Sequence, residues 1–328
     1  MTPAPDPALI ARAAAVLKAG GLVAFPTETV YGLGALAESP AAVRAIFAAK
    51  GRPPDHPVIV HVADATALDD WAIDIPPAAR RLASAFWPGP LTLVLKRSRR
   101  AHDLIAGGQP TVGLRCPAHP WARALLAATG AAVAAPSANS FGHLSPTTAQ
   151  HVRDDLGQKP AGKIDLILDG GPCPVGIEST IVDLSEGGPR LLRPGAITRA
   201  QLEQVLGVPV PDAGRAAPRT SGRLASHYAP RTRLELVDAD QLAARVAALR
   251  GERLALLAPP LAALPTGSDH VLLHEAAPAN AEDYGRRLYA ALHRLDAAGA
   301  DRILVVRPPA GPDWLAVHDR LRRAAYPG

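Results

Sequence analysis

Along this chain, apolar runs repeatedly end on hydroxyls, amides or cations where a core strand should simply turn. Phe25-Pro26-Thr27-Glu28-Thr29-Val30-Tyr31-Gly32-Leu33-Gly34 follows the short apolar stretch 20–25. Pro26 stops the ladder, and two threonines, a carboxylate and a tyrosine precede two spaced glycines. Hydroxyls and flexible backbone at a strand's C-terminal end suit a small polar ligand. Lys50-Gly51-Arg52-Pro53-Pro54-Asp55-His56-Pro57 places two cations at a helix C-terminus. They either offset the helix dipole or clamp a polyphosphate or carboxylate, Arg52 by bidentate contacts and Lys50 as a point charge. Only five of the 35 basic residues are lysines, none beyond position 163, so a lysine inside a motif stands out.

Three further segments have the same character. Thr111-Val112-Gly113-Leu114-Arg115-Cys116-Pro117 ends a strand on a guanidinium, which needs an anion. A ligand carboxylate and an internal Asp or Glu both satisfy it. Ala134-Ala135-Pro136-Ser137-Ala138-Asn139-Ser140 adds hydroxyl and amide groups, equally at home in a turn held by local bonds. Ser145, before Pro146, reads as a helix N-cap, and a helix N-terminus is also a phosphate site. The glycine-rich loop 170–180 leads to Ser179, and Leu191-Leu192-Arg193-Pro194-Gly195 again ends on arginine. Each segment alone has a structural account. Together they describe one concave, cationic site.

Other chemistries lack their signatures. There is no GxSxG, no HExxH and no Walker GxxxxGK[ST]. Cys116 and Cys173 are far apart, which points to two small packed hydrophobes and not to a disulfide or a CxxC site.

The elements that must position these groups follow from pattern. Helices are predicted over 8–19, from Ser39-Pro40 to about 50, 76–86, 121–128, from Ser145-Pro146 towards 156, and 199–206. Strands are predicted over 58–62, 91–96, 111–115, 132–135, 165–168, 180–184 and 190–193. The mixed order implies an α/β fold with a twisted mixed sheet and flanking helices. Residues 208–231 are a Pro/Gly/Arg-rich linker separating a domain over 1–207 from one over 232–328. The tail alternates strands (234–237, 254–257, 271–273, 303–306) with helices (241–249, 280–298, 314–325), the pattern of a small Rossmann-like parallel α/β domain. It carries no GxGxxG, so a nucleotide site there is unsupported.

Composition agrees with a globular protein: 328 residues, 48% hydrophobic and 20% charged, with a net charge of +5 that suits an acidic partner. No apolar run reaches a membrane span and no signal pattern opens the chain, so a cytoplasmic location is expected.

The motifs FPTETVYGLG (25–34), KGRPPDHP (50–57), WPGPLTLVL (87–95), TVGLRCP (111–117), PSANSFGHLSPT (136–147), IESTIVDL (177–184) and LLRPGAI (191–197), in this order, closely resemble the YrdC/Sua5 family of threonylcarbamoyl-AMP synthases. The segment Ser226-His227-Tyr228-Ala229-Pro230 and the α/β tail resemble the two-domain Sua5 form. The resemblance implies a nucleotidyltransferase that converts L-threonine, bicarbonate and ATP into threonylcarbamoyl-AMP and pyrophosphate for t6A37 modification of tRNA. By similarity, Thr29, His61, Arg115 and Ser179 would hold threonine. Arg52, His56, Thr111, Ser137, Asn139, Ser145 and Arg193 would hold ATP, and Tyr228 would fold back over the nucleotide. Lys50 and Arg52 would carry the catalytic charge, and Mg2+ would be held mainly by the phosphates. Glu28 is open as a general base or a structural carboxylate. His56 stands where the family often has Asn, and Thr220-Ser221-Gly222-Arg223 departs from the family's linker turn. Partners implied are tRNA or a downstream threonylcarbamoyl-transferase. Two other readings remain: an RNA-binding module using the cationic face without chemistry, and carbamoyl transfer in hydrogenase maturation. The first lacks interleaved aromatics. The second occurs with zinc-binding and acylphosphatase-like segments that this chain lacks.

Overall fold

The computed structural model describes residues 3–214, 217–222, 227–260 and 268–326, and its first helix begins where a cap allows it. α1 (Pro7–Lys18) starts under Asp6, whose carboxylate accepts from Ala8 N at 2.8 Å. β1 (Val23–Phe25) and β2 (Gly32–Leu36) follow, then α2 (Pro40–Lys50), capped by Ser39 and stopped by Gly51 at φ +64°. β3 (Ile59–His61), α3 (Leu68–Trp71), α4 (Pro77–Phe86), β4 (Leu91–Lys96), α5 (Asp103–Ala106) and β5 (Thr111–Arg115) lead to α6 (Pro120–Thr129) and β6 (Val133–Ala134). α7 (Ala149–Asp155), β7 (Leu166–Ile167), β8 (Thr180–Asp183), β9 (Arg190–Arg193) and α8 (Arg199–Leu206) complete the first series. β2 was not anticipated, because Gly32 and Gly34 hide its period. It pairs antiparallel with β1, so the Thr27–Tyr31 stretch is the turn between two strands.

These strands form one mixed sheet in the order β7-β1-β2-β6-β3-β5-β4-β8-β9. Strict alternation sorts its faces. Val60, Leu91, Leu93, Leu95, Val112, Leu114 and Val182 point into a large core with Ile46, Phe47, Leu82 and Leu202 of α2, α4 and α8. Val23, Phe25 and Val133 pack against α1 and α6 on the opposite face. Farther along that second face, Val94, Ile181 and Leu192 form only a small cluster. His61, Thr92 and Arg115 alternate with the core residues of β3, β4 and β5, and so share it. That half of the face is where ligands can reach the sheet.

By contacts the chain divides into two units: residues 1–141 with 145–223, and residues 142–144 with 224–328. The second unit contains β10 (Arg233–Val237), α9 (Leu242–Ala248), β11 (Leu254–Ala258), β12 (Val271–Ala276), α10 (Ala281–Asp296), β13 (Arg302–Val306) and α11 (Leu315–Ala324). Its sheet is parallel throughout, in the order β10-β13-β11-β12. Among the described residues no helix is long and apolar enough to cross a membrane.

Candidate active site

β3 and β5 run parallel with His61 opposite Arg115. Arg115 Nη2 donates to Glu28 Oε1 at 2.6 Å, and Nη1 donates to Thr29 Oγ1 at 2.9 Å. Ala118 N–H donates to Glu28 Oε2 at 3.0 Å. The anion required by this strand-end arginine is therefore internal, and Glu28 is engaged on both oxygens. The pair is almost wholly buried, with side-chain exposures of 5% and 7%. Arg115 Nε has no hydrogen-bond partner among the described residues, which leaves one donor for a ligand oxygen. Thr27 shapes the turn: its Oγ1 accepts from Thr29 N and Val30 N, both at 3.2 Å. Tyr31 Oη donates to Gly171 O at 2.7 Å and Val175 N to Glu28 O at 2.8 Å, so the glycine-rich loop is stitched to this run.

Burial, reinforced by the positive charge of Arg115, pushes the His61 imidazole down from 6.5 to about 3. The folded chain thus keeps His61 neutral where the unfolded chain protonates it. A depressed folded value means that stability is present above 6.5 and is withdrawn as pH falls towards 3. His61→Gln is expected to move the acid-unfolding midpoint to lower pH in a circular-dichroism titration. An unmoved midpoint would show that the ring is not held neutral.

A second cluster lies at α2 and the strand-end loops. Lys50 Nζ donates to Ser137 O at 2.6 Å and also to Asn139 O. Phe141 N returns a bond to Lys50 O at 2.8 Å, and Asp155 holds Ser140 N and Oγ at 2.7 and 2.6 Å. The Ser137–Phe141 turn is thus wrapped around the lysine. Burial, then the charge of Arg52, lowers the Lys50 ammonium well below its ordinary value. Arg52 Nη2 donates to Pro57 O at 2.7 Å and to Ser221 Oγ at 3.2 Å, and its guanidinium lies 5.5 Å from the Phe141 ring. Arg193 Nη1 donates to Ser221 O at 3.0 Å and Nη2 to Ser179 Oγ at 3.1 Å. Ser179 Oγ also meets Thr92 Oγ1 at 2.8 Å. Gly195 permits this corner, since a Cβ there would fall 2.3 Å from Thr180 N. His56 packs edge-on to Phe141 at 5.2 Å, and burial and Arg52 lower its imidazole. Thr111 opens β5 opposite Lys96.

One expectation changes. Ser145 does not cap a helix. Tyr31 N donates to Pro146 O at 2.8 Å, which fixes this segment as a connection, so α7 starts only at Ala149 under the Thr148 side chain. Ser145 Oγ instead donates to Glu178 Oε1 at 2.5 Å. Tyr228, at φ +61°, belongs to the second unit, where its ring lies 4.2 Å from His227 and 5.2 Å from the guanidinium of Arg320. Arg223 and Ser226 lie outside the described residues.

Thr92, Glu178 and Ser221 join this candidate site without having been singled out from the sequence. Thr92 had a signal: it is the polar member of Leu91-Thr92-Leu93, out of phase with the core. Ser221 had none, because a linker serine reads as solvated. The assembled surface has Lys50, Arg52, Arg115 and Arg193 outnumbering Glu28 and Glu178, all of them buried. Such a cationic excess is stable only with anions in reach, so the face can hold a carboxylate beside phosphates.

Comparison with known proteins agrees over both units. The family profile described as "Telomere recombination", covering Sua5, YciO and YrdC proteins, matches residues 15–195, and that of the threonylcarbamoyl-AMP synthase C-terminal domain matches 197–326. The threonylcarbamoyl-AMP synthase of Pyrococcus abyssi is 40% identical, over 95% of this chain and 93% of the relative. That of Bacillus subtilis is 40% identical, over 96% and 92%. The crystal structure of P. abyssi Sua5 complexed with L-threonine superposes with a TM-score of 0.89 at 37% identity, covering 98% of this chain and 95% of that one. With matching profiles across both units and near full-length relatives, this chain belongs to the Sua5/YciO/YrdC family, in its two-domain Sua5 form.

Proposed function

We propose that this chain is an L-threonylcarbamoyladenylate synthase, joining L-threonine, bicarbonate and ATP into threonylcarbamoyl-AMP with release of pyrophosphate. The observation that supports it most is Ser179. Its hydroxyl meets Thr92, on the strand beside Arg115, and also the guanidinium of Arg193, so a carboxylate site adjoins a phosphate site. In this reading Arg115 takes the threonine carboxylate, with Thr29, His61 and Ser179 around the rest of the amino acid. Arg52, His56, Thr111, Ser137, Asn139, Ser145 and Arg193 hold ATP, with Lys50 beside the phosphates. The threonine amine adds to the bicarbonate carbon and water leaves, giving a carbamate. A carbamate oxygen then attacks the α-phosphorus as the bond to pyrophosphate breaks. Because a carbamate is short-lived in water, holding both partners in one closed pocket is itself much of the catalysis. Arg52 and Arg193 offset the charge that develops on the phosphates.

Mg2+ fits this arrangement as the nucleotide's counter-ion. Lys50, Arg52 and Arg193 are donors to anions, and among the described residues no group of three or more His, Cys, Asp or Glu could hold a cation. Carried by the triphosphate, Mg2+ would supply charge neutralisation. The adenylate then serves N6-threonylcarbamoylation of tRNA adenosine 37 through a downstream transferase.

The test is direct. Purified protein with ATP, labelled bicarbonate and single amino acids is expected to release pyrophosphate and form labelled adenylate with threonine. Equal yields with serine, or with no amino acid, would overturn the reading.

A further inference from the structure

We infer that the buried carboxylate of Asp183 reads the exocyclic amine of the adenine base. This rests on the ATP site proposed above and deepens it. Asp183 is 1% exposed at the end of β8. Its Oδ1 accepts from Ser185 N at 2.9 Å and Ser185 Oγ at 2.6 Å, closing a local turn. Its Oδ2 is buried with no hydrogen-bond partner among the described residues. The turn accounts for one oxygen and leaves the other unexplained, and a buried carboxylate oxygen without a donor is costly.

The surroundings say what the donor would be. Asp183 shares the ligand face of the sheet with Ile181, and it is the registered partner of Val94. Val94, Ile181 and Ile59 wall a narrow slot with Gly113, Thr92 and Thr111, roofed by Arg219, Thr220 and Ser221, with about 20 Å³ left open. A Cβ on Gly113 would lie 3.5 Å from Thr92 Cγ2 and 3.6 Å from Ile59 Cγ1, so its absence keeps the floor flat. A flat apolar floor accepts a purine face. The cations fix the direction in which a nucleotide would lie. Arg193 and Arg52 converge near Ser179 and Ser221, which is the phosphate end. Asp183 is four residues farther along the same strand face, roughly 13 Å at strand rise. Asp183 is not itself a lining residue of the slot, but a base that pushes Arg219–Ser221 outward would bring its far edge past Val94 and Ile181 to it. Adenine offers an N–H donor on that edge, whereas hypoxanthine and guanine offer an oxygen that the carboxylate repels.

The experiment measures kcat/KM of threonine-dependent pyrophosphate release with ATP, inosine triphosphate, purine riboside triphosphate and 2′-deoxyATP. The unaltered enzyme is expected to lose at least about tenfold when the amine is replaced by oxygen or hydrogen, and to tolerate loss of the 2′-hydroxyl. In Asp183→Asn the Ser185 turn keeps the amide oxygen, which places an NH2 where Oδ2 was. The ATP-to-inosine ratio is therefore expected to fall at least about tenfold. Ser185→Ala removes the turn's donor hydroxyl, keeps the carboxylate and should keep the preference. Equal use of ATP and purine riboside triphosphate by the unaltered enzyme would overturn the inference. A penalty confined to 2′-deoxyATP would assign the carboxylate to the sugar and also overturn it, as would loss of preference in Ser185→Ala equal to that in Asp183→Asn. Absence of any turnover with ATP would overturn the synthase reading itself.

Discussion

Lys50→Ala is expected to reduce threonine-dependent pyrophosphate release at least about a hundredfold while leaving a folded protein. The size follows from two jobs in one ammonium. Lys50 Nζ donates to the carbonyls of Ser137 and Asn139, which holds the loop that carries the proposed ATP ligands. An ammonium has three donors, so one remains for a phosphate oxygen. Its charge is also poised. Burial and Arg52 lower the ammonium below its ordinary value in the ligand-free chain, and an arriving triphosphate acts in the opposite sense. Truncation also strands two carbonyls, at about 1–3 kcal/mol each, so a lower melting temperature is expected alongside the lost rate. Unchanged turnover in a folded Lys50→Ala would remove Lys50 from the mechanism.

The second large effect is at Arg115. Replacing it by methionine leaves Glu28 charged and buried beside Thr29, and breaking such a pair from one side costs about 3–5 kcal/mol. Threonine binding should be lost together with that stability, so one substitution cannot separate the two roles. Glu28→Gln separates them. It keeps the shape of the pair, but with its oxygen on Ala118 N–H it turns an NH2 towards Arg115 and removes the charge. If Glu28 only positions Arg115, Glu28→Gln raises KM for threonine and leaves the pH dependence of kcat intact. If Glu28 is the base for the amine, the acid limb of kcat disappears. Since both of its oxygens are engaged, the positioning outcome is expected.

Glu28 also shows where sequence reasoning stops. Arginine at the end of an apolar strand demands an anion on chemical grounds alone, and the sequence left a ligand carboxylate and an internal carboxylate equally open. The internal carboxylate comes from a bond spanning 87 positions, which depends on how β1, β2 and β5 register across the sheet, while Nε is left for a ligand oxygen. Ser145 erred in the other direction. A serine before a proline is a sound cap signal, but Tyr31 N–H captured the Pro146 carbonyl and Thr148 took the cap. Thr92 showed only as a polar residue out of phase with the core inside WPGPLTLVL, and Ser221 gave no signal in the linker. Each joins the candidate site only through its neighbours, Ser179 for one and two converging arginines for the other.

The amino-acid sequence by itself determined what is local. Period-two alternation fixed which residues of β3, β4, β5 and β8 face the core, and Ser39-Pro40 with Gly51 fixed where α2 starts and stops, so that Lys50 and Arg52 straddle its end. It also determined the family, because several long motifs stand in one order. The tertiary structure alone decided partnership: which anion meets Arg115, which carbonyls hold Lys50, and which oxygen of Asp183 is left over. Local order follows from backbone sterics within a few residues. Satisfaction of a buried charge depends on strands that meet only after the whole sheet has formed.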